Sequence, residues 1–137
     1  MMCVRLAPRL IVWLLAGCIA LCAGCAVSPP VSGNAAVAVL VDSARADAAA
    51  GAPARAAAAL ERALRIEPKN PRLWQELARL KLGLGEYAQA ESLALRANAW
   101  SGTDAELRAE NWRLIAEARL AQGNDAGARE ALQRAGR

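Results

Sequence analysis

Three sets of small residues recur along this chain at matched intervals. Gly51, Gly85 and Gly123 form one set, Ala56, Ala90 and Ala128 a second, and Ala63, Ala97 and Ala135 a third; each set steps by 34 residues and then by 38. A unit of that length cannot bury an apolar face by itself, so the chain must stack like units in a row, each covering its neighbour.

The middle unit is the most completely written. Asn70 can accept bonds from the free amides of a helix start, and Pro71 follows where a missing amide costs nothing. Leu73, Trp74, Leu77, Leu80 and Leu84 then recur at three- and four-residue steps, until Gly83 and Gly85 break the stripe. Glu86 and Tyr87 open a second helix, with Ala90, Leu93, Ala94 and Ala97 on one face and the alanines where two helices must approach closely. The unit is therefore two antiparallel helices joined by a glycine turn.

With its Trp74, Leu77, Ala78, Gly85, Tyr87, Ala90 and Ala97, this unit resembles the tetratricopeptide repeat, although Lys81 stands where that family usually has an aromatic. The resemblance runs from about Val37 to Ala135, as repeats of about 37–70, 71–104 and 109–137. In the first, Leu40, Ser43 and Asp47 replace the Trp, Leu and aromatic, but Gly51, Ala56, Leu60, Ala63, Leu64 and Pro68 agree. The third keeps Trp112, Ile115, Ala116, Gly123, Ala128, Leu132 and Ala135. The implied fold is all-α: three stacked helical hairpins over residues 35–137, a short right-handed α-solenoid behind an N-terminal signal segment.

Four extra residues near Trp100 to Thr103 are expected to lengthen the connection into the third hairpin, with Thr103 and Glu106 as a capping box. Trp100 is expected to plug the interface between the second and third hairpins, or else to be an exposed contact for a partner. The alanine-rich run 44–59 reads as two helices, about 35–50 and 54–66, broken by Gly51 and Pro53. The large core anchors expected are Leu60, Leu64, Trp74, Leu77, Tyr87, Leu93, Trp112, Ile115 and Leu132.

Ahead of the repeats, residues 1–24 carry Arg5 and Arg9, no acid, and an apolar run from Leu10 to Cys22, the pattern of an export signal too short for a comfortable membrane span. Leu21-Cys22-Ala23-Gly24-Cys25 resembles a bacterial lipoprotein box, which implies acylation at Cys25; Leu15-Ala16-Gly17-Cys18 makes Cys18 the alternative. The absence of aspartate after Cys25 favours the outer membrane, facing the periplasm. Residues 25–34 then form a proline-containing tether of roughly 25 to 30 Å.

Composition narrows the function. There is no histidine, and all four cysteines lie at or before Cys25, so no imidazole or thiol is left for a metal, a cofactor or a nucleophile–base pair. Carboxylates such as Glu76, Glu110 and Glu117 fall on helix faces near Arg72, Arg79 and Arg113, where ion pairing is the simpler account. An enzyme is not expected. The net charge of +4 falls to +2 once Arg5 and Arg9 leave with the signal, too little for nucleic-acid binding.

The resemblance also implies a binding surface on the first helices of the three hairpins. It would present Val41, Arg45 and Ala48, then Arg72, Gln75, Arg79 and Leu82, then Glu110, Arg113, Glu117 and Leu120. Such a groove suits a peptide with acidic and aliphatic side chains. The expected role is a membrane-anchored, non-catalytic adaptor or assembly factor for a protein of the cell envelope. The alternatives are a self-associating homo-oligomer that uses its uncapped last hairpin, and an accessory regulator of an envelope enzyme.

Overall fold

The computed structural model describes residues 30–137. Six helices follow one another: α1 (Ala35–Ala49), α2 (Pro53–Ile66), α3 (Pro71–Gly83), α4 (Tyr87–Trp100), α5 (Ala105–Ala121) and α6 (Asp125–Ala135). They pair as the hairpins α1–α2, α3–α4 and α5–α6, and each hairpin packs on the next.

Short polar side chains start the first helix of every hairpin. The Oδ1 of Asn34 accepts from the amide of Ala36, that of Asn70 from Arg72, and that of Asp104 from Leu107. Pro71 and Pro53 sit in the first turns of their helices, where no partner for their nitrogen is needed. Inside each hairpin the turn glycines Gly51, Gly85 and Gly123 adopt φ of 71°, 76° and 76°, a region that a Cβ disfavours, so the periodic glycines are demanded by backbone geometry.

Two apolar layers hold the row together. Between the first and second hairpins, Val37, Val41, Ala44, Leu60 and Leu64 meet Leu73 and Leu77; between the second and third, Ala78 and Ala94 meet Ile115, Ala116 and Ala131. Alanine at these contacts lets helix axes come close, which compensates in packing for the little area each methyl buries. The half-buried Trp74 donates from Nε1 to the Pro68 carbonyl at 2.8 Å, and its ring is covered by the Arg96 guanidinium at 4.7 Å. Thirty-eight residues later Arg134 covers Trp112 in the same way, also at 4.7 Å.

Several expectations are corrected. The connection Ser101–Asp104 is four residues long, as Glu67–Asn70 is, so the extra four are not loop; they lengthen α5 to 17 residues against 13 in α3. Four residues are close to one helical turn, so the apolar face of α5 stays in register. The cap is Asp104, one residue beyond Thr103, with Glu106 in the first turn and no bond between Thr103 and Glu106. Trp100 is 44% exposed and does not plug the second interface; it ends α4 beside the α2–α3 loop, with the Lys69 ammonium 5.4 Å over its ring. Leu132 is exposed, whereas Leu73 and Leu107, absent from the expected anchors, are among the largest fully buried side chains.

Two further contacts organise the ends of elements. The segment entering α1 is pinned to the α2–α3 loop, since Ser32 Oγ donates to Glu67 at 2.6 Å and Asn70 Nδ2 donates to the Val31 carbonyl at 2.9 Å. At the α4–α5 interface Asn111 is completely buried and donates to Asn98 Oδ1 at 3.0 Å.

Candidate functional site

The three first helices form one side of the row, and an open cleft lies between the first hairpin and α3. This cleft has a volume of about 610 Å³ and is lined by Ala44, Ala48, Gly51, Pro53, Ala56 and Leu60 on one wall, and by Leu80, Gly83 and Leu84 on the other, with Arg45, Glu76 and Arg79 at its edge. Its origin is legible in side-chain volume. Ala48 stands where the later repeats have Leu82 and Leu120, so the alanine-rich first hairpin leaves unfilled the space that those leucines occupy elsewhere. A concave, mostly apolar surface with a few charged groups at one edge can seat aliphatic side chains of a peptide segment while fixing its direction.

The arginines expected to face a ligand are committed to the stack itself. Arg45 pairs with Glu76, Arg72 with Asp104 at 3.1 Å, and Arg79 with Glu110 at 3.0 Å, each bridging one hairpin to the next. Gln75 is buried and donates to the same Glu110 at 3.0 Å. Arg45, Arg72, Gln75, Arg79, Glu76 and Glu110 do share one small polar notch beside the cleft, together with Val31. Their positive charge is answered by carboxylates, so the groove is less an anion site than the sequence suggests. Val41 is buried and presents nothing.

Arg113 and Glu117 lie elsewhere. They line a smaller hollow of about 420 Å³ on the third hairpin with Ala116, Leu120, Ala128 and Leu132, and neither has an ion-pair partner among the described residues. Of the repeat-motif residues, Leu77, Ala90 and Ala128 are buried, while Trp74, Tyr87 and Trp112 are half-buried with apolar faces inward. The Tyr87 ring lies against Gly85, where a Cβ would stand 3.8 Å from its hydroxyl. Lys81, in place of the usual aromatic, holds Glu86 at 2.8 Å across the turn.

Among the described residues no three carboxylates, thiols or imidazoles gather as a metal site, and no helix is long and apolar enough to cross a membrane. Cys25 and Cys18, the signal segment and most of the tether lie outside the described residues. The sequence pointed to the inner face but not to this cleft; the alanines at 44, 48 and 56 were the available sign.

A family model for the tetratricopeptide repeat matches residues 47–110. Among solved structures, the globular C-terminal domain of P. aeruginosa LpoP superposes with a TM-score of 0.75 at 38% identity, over 77% of this chain and 100% of that one. The chain belongs to the tetratricopeptide repeat family. No curated protein matches it. The repeat register inferred from Gly51, Gly85 and Gly123 is the one that the hairpins adopt. The repeats and the likeness to the LpoP domain together support a protein-interaction role.

Proposed function

We propose that this repeat protein is an exported, lipid-anchored adaptor or assembly factor of the cell envelope, without catalytic activity of its own. In this reading residues 1–24 direct export, Cys25 receives the lipid with Cys18 as alternative, and residues 25–34 tether the domain 35–137 on the periplasmic side of the outer membrane. The single observation that supports docking most directly is the cleft of about 610 Å³. Its apolar walls and paired edge charges suit an aliphatic segment of a partner protein better than a strongly acidic one.

The test uses exposed residues of the cleft, so that the stack is left intact. Affinity capture from solubilised envelopes is expected to recover a partner with the wild-type chain and to lose it with Ala48→Glu combined with Leu84→Glu. Equal recovery by both would remove the cleft from the account. For the anchor, Cys25→Ala is expected to shift the chain from the membrane to the soluble fraction; retention at the membrane, with release by Cys18→Ala instead, would assign the lipid to Cys18.

A further inference from the structure

The chain enters the described domain at one end of the row, and the most exposed aromatic ring among the described residues lies at that same end. Ser32 donates to Glu67, and Asn70 donates to the Val31 carbonyl, so the entry is fixed to the α2–α3 loop. Lys69 of that loop stands over the ring of Trp100, the last residue of α4. Trp100 is 44% exposed, and Ile66, the last residue of α2, is 47% exposed. Entry, base and indole are therefore one continuous patch.

The free charges at this end are mostly positive. Arg65, Lys69 and Arg108 have no carboxylate partner among the described residues. Of the carboxylate side chains in these loops and first turns, Glu67 accepts from Ser32 and Asn70, and Asp104 is paired with Arg72, which leaves Glu106 without a partner. The outer face of α1, the other surface near the entry, differs: Arg45 and Asp47 are paired, and its one uncompensated charge is Asp42.

From Cys25 to Pro30 there are five peptide links, which reach at most about 18 Å. The headgroup layer takes up roughly 5 to 7 Å of that span. An indole beside free bases suits the boundary between acyl chains and anionic headgroups, and so short a tether keeps a weak contact continually within reach. We infer that the loop end of the row seats on an anionic lipid surface, with Trp100 entering the interface and Lys69 against the phosphates. This seating rests on the anchor at Cys25 in the reading above and adds an orientation to it. A helix of 13 residues, such as α3, is about 20 Å long, so the opposite end of the row, with Gly51, Pro53, Gly83 and Leu84, stands that much farther from the lipid. The cleft lined by those residues then opens away from the membrane.

The full-length lipoprotein, purified in detergent and reconstituted, is the material for the test. The vesicles are of phosphatidylethanolamine and phosphatidylglycerol whose acyl chains carry bromine near the glycerol, a contact quencher of indole emission. Wild type is expected to float with the vesicles and to be quenched. Trp100→Phe is expected to float equally but to lose most of that quenching, and Lys69→Glu, which sets a carboxylate against the phosphates, to be quenched less than wild type. Both side chains are exposed, and unchanged circular dichroism of each variant separates lost seating from lost folding. A chain that does not float would sink the anchor and the seating together. One that floats with unquenched emission, or whose quenching survives undiminished in Trp100→Phe or in Lys69→Glu, would overturn the seating alone. Unquenched emission together with loss of an envelope partner on Trp100→Phe would also overturn it, and would give Trp100 to a protein contact instead.

Discussion

At the scale of residues, exposure separates two positions that the repeat motif treats alike. Trp74 and Leu132 both sit at family positions, but the Trp74 ring is packed on one side, capped by Arg96 on the other, and held by a bond from its indole nitrogen to the Pro68 carbonyl. Leu132 leaves more than half of its surface in solvent. Trp74→Ala is therefore expected to cost about 3 kcal/mol, and Leu132→Ala to stay within about 0.5 kcal/mol in dilute protein, by urea unfolding of the purified chain. A comparable loss at both sites would mean that Leu132 is covered even in the isolated molecule. The Trp–Arg pairing also explains a residue that the motif leaves unremarked. Arg62 lies 34 positions before Arg96, but its would-be ring is Leu40, so in the first repeat the arginine is present without the aromatic.

At the scale of elements, the glycine turns and alanine contacts were readable because backbone conformation and close approach admit few residue types. Gly51, Gly85 and Gly123 all have positive φ, and Ala56, Ala90 and Ala128 are all buried. The four-residue insertion was not readable in the same way. Near Trp100 to Thr103 it has the polar, glycine-containing look of a loop, yet a full turn added to α5 preserves every facing relation, so the sequence period shifts while the packing does not. The cap moved with it. Asp104→Ala is expected to cost about 1 kcal/mol, since the Leu107 amide loses its acceptor, whereas Thr103→Ala should be nearly silent. Thermal unfolding of the two variants checks this, and equal shifts would return the cap to Thr103. Leu73 was on the expected apolar stripe though not among the expected anchors, whereas the burial of Leu107 was missed because it lies just inside a helix start, outside the motif positions. The groove arginines were placed on the correct helices, but their partners are one hairpin away and 31 or 32 residues along, a distance at which spacing says nothing.

At the scale of the whole molecule, a row of three hairpins distributes its stability unevenly. The second hairpin is covered on both faces and is bridged by Arg45–Glu76 on one side and by Arg72–Asp104, Arg79–Glu110 and Glu91–Arg119 on the other. Among the described residues the outer hairpins each have one covered face, and the first is also the poorest in large side chains, which is why the cleft opens there. The pinning of Val31 and Ser32 to Asn70 and Glu67 bears on this weakest unit. A pull on the chain at Pro30 does not peel α1 away from its free end. It first meets bonds rooted in the loop between α2 and α3, so tension passes across the first hairpin and is shared with the second.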